Sequence, residues 1–362
     1  MGNILLVLVA LFFIIGVFDY AIGNKLVLGK VLRDGIYNMG PLAISMIGIL
    51  SLTPILVKIL NVSLVPLVKK IGIEPSILTS SFIAVDMGGY NMALDLSSTR
   101  EIAIFSGIVV SSILGCTISF TMPLAMGMIK NESKEALAKG MVCGVITIPL
   151  GLYIAGILLK LNTKILIINL MPIIIISLIL SFGITYKPNI CLKLFKVLGS
   201  IITVISLIGL TLQGVNSIAG INIVEDMMPL DECLSIVGKI GLFLGGSCVM
   251  LEVMKKILKK PLSYIEKKFK ISKGTMAMLI ASLASSIIVF ADFEDLDEEG
   301  KLICSAFSVS GAYVFGGQLG YVVSVEPSIM TIYIIAKIVS GVAAIILAYI
   351  IIKSRGEKVY EG

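Results

Sequence analysis

The sequence predicts an all-α, polytopic helical membrane protein, and three observations predict it. Hydrophobic residues make up 57% of the 362 and charged residues 14%, where a soluble domain has about 25% charged. The mean hydropathy is +1.05. Apolar windows long enough to cross ~30 Å of hydrocarbon, about 20 helical residues each, recur along the chain.

Full spans are expected at roughly 3–22, 37–57, 101–128, 136–159, 163–185, 193–215, 233–254, 302–325 and 327–352, about nine in all. The first has no basic segment before it and no small-residue cleavage site after it, so it reads as a span and not a signal peptide. Two shorter, interrupted segments remain, 76–96 and 274–294. The positive-inside rule decides how they run. If both are re-entrant, most of the 29 Lys and Arg residues fall on one side. If both cross, the lysine run from Lys255 to Lys273 lands opposite the basic C-terminal tail. Re-entrant hairpins are therefore expected, with the N-terminus outside and the C-terminus in the cytoplasm of a bacterial inner membrane.

The same layout gives an internal repeat within a single membrane domain spanning 1–362. The units cover about 1–130 and 190–325, with connecting spans at 134–186 and a final span at 327–352. The first unit has Pro66-Leu67 and Lys69-Lys70, the interrupted segment, a polar turn ending at Arg100, and a long span. The second has Pro261-Leu262 and Lys267-Lys268, its own interrupted segment, an acidic turn ending at Lys301, and a long span. Ser111–Gly115 falls where Ser310–Gly316 falls in the second unit. Five spans separate the hairpins, an odd number, so they enter from opposite faces. Inverted repeats with broken helices meeting near the midplane are a transporter design.

Composition also excludes several chemistries. There is no histidine, which removes Ser-His triads, His proton relays and His-dependent zinc sites. The six cysteines form no C-x-x-C pair, so neither a metal site nor a disulfide framework is expected. No cofactor and no enzymatic nucleophile–base set is apparent. The basic residues form no aromatic-interleaved patch, so no nucleic-acid partner is expected. The Lys255–Lys273 run is expected to face anionic lipid headgroups, and the acidic run Asp292–Glu299 to be a solvated turn that caps the next span. A homo-oligomer is compatible with the sequence.

Candidate ligand chemistry centres on Asp86. A carboxylate at mid-depth costs about 2.5–3.5 kcal/mol on insertion scales and is a functional hypothesis by default. Three roles are open: counter-ion to a cationic ligand, ion pair with Lys337 in the last span, or an interfacial group. Gly88 and Gly89 permit backbone conformations and close approach denied to other residues, although glycine pairs also occur where helices merely touch. Asn91, Ser285, Ser286 and Gln318 offer neutral hydrogen-bonding groups, which interhelical bonds would equally employ. Tyr90, Tyr313 and Tyr321 offer aromatic faces for an ammonium, each worth about 0.5–2 kcal/mol, though span tyrosines more often fill space or anchor at interfaces. Gly316-Gly317-Gln318-Leu319-Gly320-Tyr321 is expected to break the 302–325 span. Asp86, Glu252 and Lys337 are the few buried groups that could couple ion movement to transport.

The stretch Ala84-Val-Asp86-Met-Gly-Gly89-Tyr90, Met122-Pro123, Thr147-Ile-Pro149 and Ala306-Phe-Ser-Val-Ser310…Leu319-Gly320 together resemble the EutH family, over essentially the whole chain and in order. The resemblance implies a bacterial ethanolamine permease, and hence import of ethanolamine, which is protonated at neutral pH; this fits the reading of Asp86 as counter-ion, and with no histidine for a proton relay facilitated uniport is the expected mode. The chain departs from the family pattern at Gly317-Gln318, where an Asp-His pair is expected, and at Ser285-Ser286, where an Asn pair is. Those departures imply a cation held differently, or a related small amino alcohol or amine as substrate; coupling to H⁺ or Na⁺ is the alternative to uniport.

Overall fold

The computed structural model describes residues 2–70, 72–257, 264, 266, 268 and 271–360. Pro261-Leu262, and Lys259, Lys260, Lys267 and Lys270 of the lysine run, lie outside the described residues. Among the described residues the chain is helical throughout, with no strand, as the hydrocarbon requires of any spanning segment that is not a closed barrel.

The helices are α1 (Gly2–Ala21), α2 (Leu28–Tyr37), α3 (Met39–Ser63), α4 (Val65–Lys70), α5 (Pro75–Ser80), α6 (Gly89–Leu96), α7 (Arg100–Ile104), α8 (Met122–Met128), α9 (Lys134–Leu158), α10 (Thr163–Tyr186), α11 (Pro188–Ala219), α12 (Leu230–Ile257), α13 (Lys273–Ser282), α14 (Ser286–Ala291), α15 (Glu298–Ser310), α16 (Gly317–Val325) and α17 (Met330–Tyr360). Among the described residues, eight segments are long and apolar enough to cross a membrane. The difference from nine lies in 302–325, which breaks between Ser310 and Gly317 into α15 and α16, each too short to count as a span. The break falls just upstream of the glycine cluster that signalled it.

The short segments begin where their sequences say. Pro75 sits at the first turn of α5, where a missing N–H costs nothing. Ser272 accepts a hydrogen bond from the Thr275 N–H at the start of α13, and Ser285 one from the Ile287 N–H at the start of α14. Asp297 does the same for Gly300 at α15. The acidic run thus caps a helix as expected, and it does more than meet solvent. Glu294 accepts from the Ser133 hydroxyl at 2.6 Å and the Lys130 N–H at 3.0 Å, tying the exit of the second interrupted segment to the 130–133 turn. Glu252 sits 3.7 Å from Lys255 one turn on, as a helix-end pair.

The most buried span is 100–128, with 94% of its apolar window enclosed. Its middle is wound as π-helix, from Phe105 to Gly115 and again from Thr117 to Thr121. Wider π turns are rare and concentrate at functional sites. This span receives the first interrupted segment: the Ser111 hydroxyl donates to the Ile83 carbonyl. A Cβ on Gly115 would overlap the carbonyls of Ser80 and Ile83. The second interrupted segment meets its own following span in a matching way, since a Cβ on Gly316 would overlap the Ala284 carbonyl. The α10 and α11 windows are the least enclosed of the interior helices, at 33% and 22%, and present apolar residues such as Ile179, Phe182 and Ile208 outward.

Gly115→Ala should therefore destabilise the protein by about 1–3 kcal/mol, the usual cost of overfilling a tight contact, because the clash is with backbone. Gly127→Ala, in open space, should leave the detergent melting temperature unchanged.

Candidate functional site

Between α5 and α6 the chain leaves the helix. Val85–Met87 form one 3₁₀ turn, and Gly88 takes a left-handed conformation with φ +87°. That φ favours glycine, and a Cβ there would also lie 2.9 Å from the Thr53 hydroxyl. At Gly89 a Cβ would overlap the Ser111 hydroxyl. Both glycines are thus required by close approach. The turn they permit presents Asp86.

Asp86 is half-buried, and among the described residues it forms no ion pair. Its neighbour Met87 lines a cavity of about 650 Å³ between α3, the π-wound span and α11, together with Ser45, Ser119, Phe120, Thr203 and Ser206. The Ser119, Thr203 and Ser206 hydroxyls donate to the carbonyls of Gly115, Gly199 and Ser45. They therefore turn lone pairs outward, which suits a donor-rich ligand.

The break between α15 and α16 lies beside this turn. Ala84 and Cys116 cluster with Ala312 and Tyr313, with Met87 and Phe120 against them, and Phe120 meets the Tyr313 ring edge-on at 6.2 Å. Tyr313 has φ +63°, a strained value for a bulky residue. The strain is held in place from several sides. The Tyr313 N–H donates to Ser282 O at 3.0 Å and the Phe315 N–H to Leu283 O at 2.8 Å. The Ser247 hydroxyl donates to Phe315 O at 2.5 Å, and the Tyr313 hydroxyl meets that of Ser286. The turns of both interrupted segments therefore reach the same few residues.

Lys337 occupies the centre of this arrangement. It is 2% exposed, and its Nζ donates to Ala312 O and to Gln318 Oε1, each at 2.7 Å. The rings of Tyr313 and Tyr333 stand 5.5 and 5.4 Å from it. The Tyr333 hydroxyl donates to Tyr313 O at 2.8 Å. Lys337 is near enough to Asp86 for their charges to interact, but it is not within 4.0 Å of any carboxylate among the described residues. Of the three roles open to Asp86, direct pairing with Lys337 is thus not the arrangement found.

The candidates separate into groups. Asp86, Gly88, Gly89, Tyr313, Gln318, Ser286 and Lys337 converge. Ser285 is spent as a helix cap. Asn91 accepts from the Tyr321 hydroxyl at 2.7 Å, and Tyr90 reaches Glu326 at 3.5 Å. With the Arg100–Glu326 ion pair at 2.7 Å, these contacts stitch α6 to the end of α16. Tyr333 and the carbonyl of Ala312 were not singled out from the sequence, and of the π-wound serines only Ser111 and Ser112 were, as marks of the repeat and not of the site. The density of Ser and Gly across 105–121 was the available signal.

The family model described as "Ethanolamine utilisation protein, EutH" matches residues 1–351. The chain belongs to the EutH family. A relative from Listeria monocytogenes, named probable ethanolamine permease EutH, is 36% identical over 95% of this chain and 92% of its own. An uncharacterised Bacillus subtilis protein, YxeR, is 34% identical over 93% of this chain and 91% of its own. A Salmonella typhimurium protein, also named probable ethanolamine permease EutH, is 26% identical over 90% and 85%. No solved structure matches. The family and its named relatives are those of a membrane permease and not of an enzyme, and this EutH-family chain is a multi-pass membrane protein.

Glu326 supplies a pH test of the α6–α16 stitch. The Ser328 hydroxyl, and after it the Arg100 guanidinium, hold its carboxyl below the ordinary range against the raising effect of burial. A depressed carboxyl contributes stability above its unfolded value of about 4.3, and that contribution is lost as pH falls through the folded value. The wild-type melting temperature should therefore drop on the acid side more steeply than that of Glu326→Gln. Parallel curves would show the stitch to be energetically silent.

Proposed function

We propose that this EutH-family protein imports protonated ethanolamine into the cytoplasm by facilitated uniport, with Asp86 as the counter-ion to the ammonium. One observation carries the reading: Asp86 is a half-buried carboxylate inside a membrane protein, in a helix break, next to the cavity-lining Met87 and without an ion-pair partner among the described residues. Such a group is costly to keep unless something neutralises it, and a passing cation does so. The names of the relatives supply the particular cation.

In this reading the two interrupted segments are re-entrant hairpins of an inverted repeat, inserted from opposite leaflets, with the N-terminus outside. The shared contacts of both turns with the α15–α16 break support it, as does the parallel between Gly115 and Gly316. The α6–α16 stitch lies on the outer side of Asp86, and the cavity beside Met87 opens toward Lys196 on the cytoplasmic side.

Labelled ethanolamine should enter proteoliposomes saturably, and Asp86→Asn should reduce uptake at least about 100-fold, as loss of a charge-assisted contact in a dry site costs on the order of 3 kcal/mol. The variant should remain monodisperse in detergent. Undiminished uptake by that variant would remove Asp86 from the mechanism, and acceleration by an imposed H⁺ or Na⁺ gradient would replace uniport with coupling.

A further inference from the structure

We infer that Lys337 is a specificity-determining residue that reads the oxygen of the substrate. A lysine ammonium carries three N–H donors. Two are committed, to Ala312 O and Gln318 Oε1. The third has no hydrogen-bond acceptor among the described residues, although the side chain is 2% exposed. The flanking rings of Tyr313 and Tyr333 favour a cation but accept no conventional hydrogen bond.

The 3₁₀ turn that carries Asp86 packs against α16 and against Ala312 and Tyr313, and Asp86 has no ion-pair partner among the described residues. A buried donor and a half-buried anion thus lie on adjoining elements without forming an ion pair. The chemistry that completes both is a small molecule with a cationic nitrogen at one end and a hydrogen-bond-accepting oxygen at the other. The nitrogen goes to Asp86 and the oxygen to the third proton of Lys337. A β-amino alcohol has that form.

The position of Lys337 makes this a fixed reading head. The carbonyl of Ala312 lies in the break next to Tyr313, whose φ is +63°, and Gln318 stands in the first turn of α16. A site built to donate to an oxygen rejects an analogue that lacks it, because the donor is then left buried and unpaired. The inference rests on the role given to Asp86 above, and its test separates the two.

The test is a competition panel against uptake of labelled ethanolamine by the reconstituted wild-type protein, using ethanolamine, 2-methoxyethylamine and ethylamine. The first two carry the accepting oxygen and the third does not. Ethylamine should compete about 10- to 100-fold more weakly than ethanolamine, the usual span for one hydrogen bond to a charged group. 2-Methoxyethylamine, which accepts but cannot donate, should fall on the ethanolamine side. In Lys337→Met the gap between ethanolamine and ethylamine should close, with ethylamine competing at least as well as before, since a like charge has been removed. A variant that weakens all three amines equally gives Lys337 a merely structural role and overturns the inference. Because the wild-type panel needs no variant to fold, equal competition by ethylamine and ethanolamine there overturns it alone. That result would leave the Asp86 reading standing. If none of the amines competes, that reading falls too.

Discussion

The interior of this protein is arranged around an ammonium that has no carboxylate to lean on. Lys337 sits in the last span with its charge enclosed, where a lone cation costs about 2.5–3.5 kcal/mol on insertion scales and more in simulation. A regular helix could not meet that cost, because its carbonyls are spent on its own N–H groups. The break between α15 and α16 frees the Ala312 carbonyl, and the first turn of α16 adds Gln318. The break itself costs strain at Tyr313, whose positive φ is tolerated because its N–H, its ring, its hydroxyl and its carbonyl are all engaged. Irregular backbone at membrane depth survives where protein encloses it, and these contacts are the enclosure.

The same reasoning explains why both interrupted segments end where they do. Apart from the one 3₁₀ turn, the backbone from Ser81 to Gly88, and that from Leu283 to Ser285, is non-helical and must place its polar groups. The first turn gives the Ile83 carbonyl to Ser111, and the second gives the Ser282 and Leu283 carbonyls to Tyr313 and Phe315. In each case the receiving span is itself deformed, by π turns in one and by an outright break in the other. Glycines at 115 and 316 let the carbonyls approach. The correspondence is one of function within the fold, with little sequence identity to carry it.

This accounts for what could be read in advance. The apolar windows, the two interrupted segments and the break in 302–325 were legible because helix length and hydropathy are set by the hydrocarbon, a constraint that acts residue by residue. Asp86 with Gly88-Gly89 was legible because a carboxylate and two glycines in an apolar run contradict their surroundings. The partner of Lys337 was not legible. Carboxylate and ammonium charges invite pairing on paper, but which acceptor the lysine finds depends on a backbone carbonyl, and every residue has one. Asn91 and Ser285 left a ligand role and a structural bond equally open, and in the fold they accept from Tyr321 and cap a helix, because neutral polar side chains take whichever donor tertiary contact brings. The π winding of 105–121 leaves only a bias toward Ser and Gly in the sequence, and small residues have many uses in membranes.

The choice of carbonyls over a carboxylate for Lys337 has a consequence for movement of a ligand. Had Lys337 and Asp86 paired directly, an arriving cation would have to separate a buried ion pair, and removing one partner of such a pair costs about 3–5 kcal/mol. With two of the three Lys337 donors taken by Ala312 and Gln318, the role proposed for Asp86 needs no such separation, and in that role the lysine would weaken the grip on a second cation by repulsion. Under the proposed role, association would then be inexpensive and release assisted, which is what a permease needs from a site that must be left as readily as it is entered. The balance depends on the lysine staying where the broken helix puts it, so the strain at Tyr313 and the openness of Asp86 are two ends of one arrangement.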